Sequence, residues 1–127
     1  MHTTFLYAGL LGLLSVFLAN QVLHARVQPD SPEWKDSTTL RVQANFVENV
    51  PLALVLLFGV ELATGSALAV HLFGSLLLLC RLLHAFGMSR NPGATYPRLI
   101  GAQGTFVLLS AMSFVLVYAF FRSLVLP

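Results

Sequence analysis

The chain contains 127 residues, of which 57% are hydrophobic and only 9% are charged, whereas about a quarter of the residues of a soluble domain carry charge. This composition excludes an ordinary water-soluble domain and favours an integral membrane protein in contact with a lipid bilayer. The net charge of +2 and the scattered basic residues do not favour nucleic acid as a partner. Cys80 is the single cysteine, so the chain has no internal disulfide, and no Cys or His spacing around it indicates a metal site.

Four apolar segments follow one another along the chain, each close to the ~20 residues that an α-helix needs to cross a bilayer. They cover residues 3–23, 45–62, 66–86 and 101–121. Segments of this length without strand-like alternation predict an all-α membrane protein, a four-transmembrane-helix bundle that forms one domain over residues 1–127. The first segment also resembles a secretory signal. However, residues 1–4 lack a basic start and the apolar run is longer than a signal core, which favours a retained helix.

The connections between the segments predict their turns and their orientation. Residues 63–65 (Ala-Thr-Gly) and 89–93 (Ser-Arg-Asn-Pro-Gly) contain typical turn formers. The second connection has no Lys or Arg, whereas the first and third hold Arg26, Lys35, Arg41, Arg90 and Arg98. The positive-inside rule therefore predicts that the first and third connections are cytoplasmic and that both termini lie on the opposite, periplasmic side. Arg122 alone opposes this orientation.

A polar stripe begins the second span. On a helix that advances about 100° per residue, Asn45 and Glu48 lie about 40° and about 20° to either side of Arg41. A charged group in hydrocarbon costs at least ~2.5 kcal/mol, so the stripe is predicted to face protein or a wet cavity. Pro51 lies one turn deeper and leaves the carbonyl of Val47 without its helical donor. A simpler interpretation is that Arg41 and Glu48 neutralise each other inside the bundle.

The other helices are expected to bring polar groups to the same depth. Arg81 and His84 lie three residues apart on one helix face, and Arg98 is at the start of the fourth helix. The first helix ends at this depth with Asn20, Gln21, His24 and Arg26. We therefore expect polar groups from all four helices to converge near the cytoplasmic side. Three arginines against one carboxylate favour a small zwitterion with excess negative charge, and they would stabilise a thiolate.

Some polar residues point to contacts outside this cluster. Gln43 lies about 200° from Arg41, so we expect it to face a site shared with a neighbouring subunit, with Gly101 and Gly104 allowing close helix approach. The alternative is a Gln43 that reaches toward the lipid headgroups. His71 is expected to hydrogen-bond across helices, and Glu61 is expected to be solvated at the outer surface.

The pattern of Arg41, Gln43, Asn45, Glu48 and Pro51 resembles the signature of the membrane-associated proteins in eicosanoid and glutathione metabolism, the MAPEG family. This family includes microsomal glutathione transferases and leukotriene C4 synthase. The resemblance covers nearly the whole chain in length, number of spans and placement of polar residues. It implies a homotrimer that binds glutathione between adjacent subunits near the cytoplasmic face. Arg41, Asn45 and Glu48 would hold the charged ends of the peptide, and Gln43 would contribute to the neighbouring site.

The resemblance also implies a catalytic residue and a branch of the family. Arg98 matches the arginine thought to stabilise the glutathione thiolate. Asn49, His84 and Met88 stand where the eicosanoid enzymes carry tyrosines, and the run Arg81-Leu-Leu-His84-Ala-Phe-Gly87 is similar to the small bacterial branch. We therefore expect a bacterial inner-membrane protein, with Arg81 and His84 added to the candidate glutathione-binding residues.

Two functions of different classes follow. The first is a glutathione transferase or peroxidase that acts on a small apolar electrophile or a lipid hydroperoxide entering from the bilayer. The second, favoured by the missing tyrosines, is a non-catalytic membrane thiol-binding or scaffold protein. A small four-helix multidrug exporter is disfavoured, because such exporters use a carboxylate in their first helix and residues 3–23 contain no acid.

Overall fold

The protein consists of four long helices. A computed structural model describes the backbone of residues 1–30, 32–90, 93 and 95–125, and the side chains of these residues except 33–36 and 88–90. The helices are α1 (Thr4–Val27), α2 (Glu33–Thr64), α3 (Ala67–Arg90) and α4 (Tyr96–Val125). Each contains a stretch that is long and apolar enough to cross a membrane. The predicted all-helical membrane protein with four spans is therefore confirmed.

All four helices extend beyond the predicted spans at the end that carries the first and third connections. α1 continues to Val27, α2 begins at Glu33 rather than near residue 45, α3 continues to Arg90, and α4 begins at Tyr96. Hydropathy marks only the part of a helix that lies in hydrocarbon, whereas the helix can continue beyond it. Gly87 does not end α3, and Pro97 is tolerated because it lies in the first turn of α4. Ser89 and Arg90, predicted in a loop, are therefore helical, and positions 91 and 92 of that loop lie outside the described residues.

The turn between α2 and α3 contains a glycine turn residue, as the sequence predicts. Gly65 adopts a left-handed backbone with φ 62°, a conformation that strains any residue with a Cβ atom. Its N–H donates to the carbonyl of Glu61 at 2.9 Å and closes the helix in the manner of a C-terminal cap. Two long helices are thereby reversed within a few residues.

The helices run antiparallel in chain order, and α2 is central. It packs against each of the other helices, α3 packs against α4, and α1 packs against α2 and α3 but not against α4 within the described chain. The buried core includes Leu11, Ala53, Leu57, Val60, Val70, Leu77 and Met112. Large apolar side chains such as Phe106, Phe114 and Phe120 point outward, as expected for helices surrounded by lipid. This arrangement separates α1 from α4 on opposite sides of α2 and α3.

Glycines bring α3 and α4 into close contact. A Cβ atom at Gly101 would lie 2.5 Å from the carbonyl oxygen of Cys80 and 2.6 Å from the backbone nitrogen of His84. A Cβ atom at Gly104 would meet the Cys80 sulfur at 2.5 Å. Gly101 and Gly104 therefore allow the close approach of α3 and α4 within the chain.

The end of the bundle opposite the basic residues is held by polar contacts to α1. The Glu61 carboxylate accepts hydrogen bonds from the backbone N–H groups of Thr3 at 2.5 Å and Thr4 at 3.0 Å, and its side chain is 11% exposed. The prediction of a solvated Glu61 is therefore wrong, because the carboxylate caps the N-terminus of α1. The expected cross-helix bond of His71 is confirmed, since its Nδ1 lies 2.9 Å from the hydroxyl of Tyr7.

Candidate functional site

Three helices enclose a pocket at the end of the bundle where α2 and α4 begin and α3 ends. Its volume is about 270 Å³, and its lining residues are Arg41, Ala44, Asn45, Glu48, His84 and Arg98. We call it the basic pocket. The stripe on α2 forms one wall, His84 comes from α3, and Arg98 comes from the first turn of α4. Five of the predicted site residues are therefore brought together around one opening.

Arg81 lies next to this pocket in the interior of the bundle. Its side chain is only 2% exposed, and its Nη1 donates to Oδ1 of Asn45 at 2.8 Å. Its Nε and Nη2 atoms are buried and have no hydrogen-bond partner among the described residues. Burial of an unpaired charged donor costs several kcal/mol. Arg81 therefore provides the unmet hydrogen-bonding capacity that an anionic group would satisfy.

His84 has an unpaired hydrogen-bond acceptor, whereas Arg81 has unpaired donors. Its ring is buried, and Nδ1 lies 3.2 Å from the carbonyl oxygen of Arg98. Because a carbonyl oxygen only accepts, Nδ1 carries the hydrogen, and Nε2 of the neutral ring is an acceptor. Nε2 is buried and has no partner among the residues that the structure describes. The basic pocket thus contains a buried acceptor close to its cationic groups.

The first turn of α4 is placed by glycines on the facing helix and in the loop. A Cβ atom at Gly87 would lie 2.5 Å from the backbone nitrogen of Arg98, so this glycine allows α4 to begin against the end of α3. The guanidinium of Arg98 also donates through Nη1 to the carbonyl of Gly93 at 3.4 Å. Its backbone carbonyl meanwhile holds His84. Arg98 therefore contributes both a cation to the pocket and the anchor for the histidine.

Arg41 and Glu48 do not form an ion pair with each other within the chain. Both side chains are exposed, and among the described side chains no ion pair within 4.0 Å joins them; the pair found there links His2 to Glu61 at 3.8 Å. The structure therefore does not support the interpretation of simple internal neutralisation. Both charges remain on the open side of the basic pocket.

The expected convergence of polar groups is found for α2, α3 and α4, but the polar end of α1 does not join them. α1 does not approach α4 within the described residues, and the basic pocket is lined by α2, α3 and α4 alone. Gln21 instead lines a separate, largely apolar cleft of about 380 Å³ between α1, α2 and α3. Asn20, His24 and Arg26 are exposed. The depth in the membrane that the sequence predicts for these residues is correct. However, they lie on the other side of α2 from the basic pocket.

The remaining predicted residues have different environments. Gln43 is half-buried and lies outside the lining of the basic pocket, in agreement with its position away from Arg41 on the helix. Asn49 also lies outside the lining, and its side-chain amide donates to the carbonyl of Asn45 in its own helix at 2.8 Å. The side chain of Met88 lies outside the described residues. Asn49 therefore does not take the place of a pocket hydroxyl.

The fold and the pocket define an integral membrane protein with four spans and a polar site near one membrane face. The sequence model of the MAPEG family matches residues 4–118. The chain belongs to the MAPEG family, which confirms the resemblance drawn from the α2 signature.

Curated relatives are found in bacteria. The chain is 32% identical over 87 residues to the inner membrane protein YecN of Escherichia coli strain K12, and this match covers 65% of the chain and 66% of that protein. The YecN protein of Escherichia coli O6:H1, strain CFT073, matches with the same identity and coverage. The matched region thus spans slightly less than two thirds of each relative.

Proposed function

We propose that this protein binds glutathione in the basic pocket and uses its thiolate to attack apolar electrophiles. The observation that carries the proposal is the buried guanidinium of Arg81, whose Nε and Nη2 have no partner among the described residues. An anionic ligand would pair these donors. Membership of the MAPEG family and the arginines that line the pocket support the same ligand class.

The charges of the pocket complement those of glutathione, which carries two carboxylates and one ammonium group at neutral pH. Arg41 and Arg98 line the pocket beside the single carboxylate of Glu48, and Arg81 lies next to it. Arginine pairs with carboxylates in a bidentate manner. We therefore assign the carboxylates to Arg41 and Arg81, with Asn45 orienting Arg81, and the ammonium group to Glu48.

The proposed assembly is a homotrimer in which a neighbouring subunit completes the site. The pocket of about 270 Å³ is slightly smaller than typical small-molecule sites of ~300–1,000 Å³, and Arg41 and Glu48 lie on its open side. A second subunit would cover these charges. Gln43, which faces away from the pocket of its own subunit, is the residue that we assign to the neighbouring site.

The proposed location is a bacterial inner membrane, as for the relative YecN. The distribution of Lys and Arg supports a basic pocket at the cytoplasmic face and termini in the periplasm. Cytosolic glutathione would then enter from the aqueous side. The apolar electrophile or lipid hydroperoxide would enter from the bilayer.

The proposed reaction depends on the guanidinium of Arg98. In conjugation, the thiol proton goes to solvent, the thiolate forms a C–S bond with a chlorinated aromatic carbon, and the C–Cl bond breaks to release chloride. In the peroxidase reaction, two glutathione molecules are oxidised to the disulfide while the hydroperoxide is reduced to an alcohol and water. Arg98 stabilises the thiolate in both cases, since a nearby cation favours the ionised thiol.

We expect the Arg98→Ala substitution to reduce the conjugation rate roughly 100-fold, because it removes a preorganised cation at the developing charge. The measurement is the rate of chloride release from a chlorinated dinitrobenzene with purified protein and glutathione. Arg122→Ala, at the far end of α4, is the matched control and should retain the wild-type rate. Equal rates above background for wild type and Arg98→Ala would contradict the catalytic role.

The same assay distinguishes a second function, non-catalytic thiol binding or scaffolding. This alternative is supported by the lining of the basic pocket, which contains no hydroxyl group among the described residues, and by the bond of Asn49 to its own helix. Calorimetric binding of glutathione without chloride release or hydroperoxide reduction would establish that function instead.

A further inference from the structure

The cleft lined by Gln21 lies between α1, α2 and α3, away from the basic pocket, and we call it the apolar cleft. α1 and α3 meet near the opposite end of the bundle, where the ring of Tyr7 occupies the space that a Cβ atom at Gly74 would need. Toward the end of α1 the two helices enclose the cleft instead. Its volume of about 380 Å³ is within the range of small-molecule sites, ~300–1,000 Å³.

The lining of the apolar cleft carries no charge among the described side chains. Its buried lining residues include Leu18 and Val42, and its polar groups are the amide of Gln21 and the hydroxyls of Thr38 and Thr39. A charged ligand would lose hydration here without gaining a counter-ion, which is costly. The cleft therefore favours an uncharged ligand, in contrast to the basic pocket.

Aromatic side chains line the apolar cleft from two helices. Phe17 comes from α1 and Phe86 from α3, and their exposed fractions of 55% and 49% leave ring surface available to a ligand. Aromatic rings prefer stacked or edge-to-face contacts with other rings. A flexible acyl chain fills the same space without these contacts, and it loses more conformational freedom on binding. An aromatic ligand is therefore favoured over an acyl chain.

The polar groups of the apolar cleft lie at one end of it. Gln21 is near the C-terminal end of α1, and Thr38 and Thr39 are near the start of α2. These helix ends are adjacent because α1 and α2 run antiparallel. The amide of Gln21 can both donate and accept hydrogen bonds. An apolar ring system with one neutral polar group, as in a phenol, matches this distribution of apolar and polar side chains.

We propose that the apolar cleft binds uncharged aromatic molecules that dissolve in the bilayer, with their polar group at Gln21. Phe17 and Phe86 are exposed where the bundle meets lipid, so these molecules reach the cleft from the membrane. The binding requires neither glutathione nor the basic pocket. The proposal is therefore independent of the proposed function.

The test is photolabelling of the full chain in phosphatidylcholine proteoliposomes with 4-hydroxybenzophenone, a phenol that bonds to nearby C–H groups on irradiation. At about pH 6 a phenol is uncharged and a carboxylic acid is ionised. Unlabelled 1-naphthol should therefore compete with the probe, whereas 1-naphthoate should not. Mass spectrometry should place the competed label on Leu18 and Val42, although acyl chains are present in large excess throughout.

Two pairs of variants locate the site. Leu14→Trp enlarges a lining side chain and should reduce the competed label on Leu18 and Val42 at least about tenfold. Leu13→Trp is its control and should leave the label unchanged, because Leu13 is 71% exposed and lies outside the lining. Gln21→Leu should raise the 1-naphthol concentration for half-competition about fivefold. Gln103→Leu, the same change at an exposed position of α4, should not.

Three results would overturn the proposal. Absence of competed label from the apolar cleft would show that acyl chains or a neighbouring subunit fill it. Equal competition by 1-naphthoate and 1-naphthol would contradict the preference for uncharged ligands. Equal labelling of Leu14→Trp and wild type would show that the probe does not bind between α1 and α3.

Discussion

Substitution of Arg81 by Met is expected to weaken glutathione binding at least about 100-fold while the fold is retained. Methionine is apolar and nearly as long as arginine, so it fills the buried position at which Arg81 is 2% exposed. Removal of a buried cation without a counter-ion removes its desolvation penalty, which amounts to several kcal/mol. Loss of the bond to Asn45 offsets part of this gain. The expected thermal unfolding midpoint without ligand is equal to or above that of wild type.

The same substitution removes the donors that we assign to a glutathione carboxylate. Charge-assisted hydrogen bonds contribute about 1.5–3 kcal/mol each, so the dissociation constant should rise at least about 100-fold. Calorimetric titration of wild type and Arg81→Met checks this value. Arg122→Met, the same chemical change at an exposed position of α4, is the control and should bind as wild type does. Binding by Arg81→Met within threefold of wild type would show that Arg81 has only a structural role.

Substitution of Gly101 by Ala is expected to have the largest effect on stability. The added Cβ atom would meet backbone atoms of Cys80 and His84 at 2.5 Å and 2.6 Å, and backbone cannot move aside as a flexible side chain can. Insertion of a methyl group into a packed site costs typically 1–3 kcal/mol, and we expect a value of about 3 kcal/mol here. The bond between His84 and Arg98 should lengthen as α3 and α4 separate.

Gly9→Ala provides the matched control for this prediction. A Cβ atom at Gly9 meets no atom within 4 Å, and alanine is favoured over glycine in a helix by about 0.5–1 kcal/mol. The free energy of unfolding in mixed detergent micelles should therefore fall for Gly101→Ala and stay equal or rise for Gly9→Ala. Equal stabilities of Gly101→Ala and wild type would contradict the close approach of α3 and α4.

The spans were predictable from the sequence, whereas the helix ends were not. A bilayer requires about 20 apolar residues with all backbone groups paired, so the four apolar segments specified four helices. The polar start of α2 carries no such signal, because a helix at the membrane surface needs no hydrophobic run. This explains why α2 begins at Glu33 rather than near residue 45.

Two properties of the site could be predicted from the sequence: which residues share a helix face, and which residues lie at the same depth in the membrane. The spacing of Arg41, Asn45 and Glu48 placed them on one face of α2, and the antiparallel order of the helices brought His84 and Arg98 to the same level. Depth alone does not specify which helices are neighbours around the bundle. The polar end of α1 was therefore expected beside the polar groups of the other helices, whereas it lies away from the basic pocket.

Two features of the site required three-dimensional packing to be recognised. The bond between Arg81 and Asn45 depends on the rotation of α3 relative to α2, which a single sequence does not specify. The contacts of Gly87 and Gly101 with the facing helix depend on the separation of α3 and α4. The glycines at 87, 101 and 104 were the available signal, but small residues pack within subunits as well as between them.

The central claim is that the buried guanidinium of Arg81, beside the basic pocket, binds a small anionic thiol peptide. Thermal unfolding of the detergent-solubilised wild-type protein across a glutathione titration tests it most directly, since a ligand that binds only the folded state stabilises it by about 2.7 kcal/mol at 100 times its dissociation constant. We predict a saturable rise in the unfolding midpoint with glutathione and none with glutamate, cysteine or glycine supplied separately. An unfolding midpoint that does not change at any glutathione concentration would contradict the account.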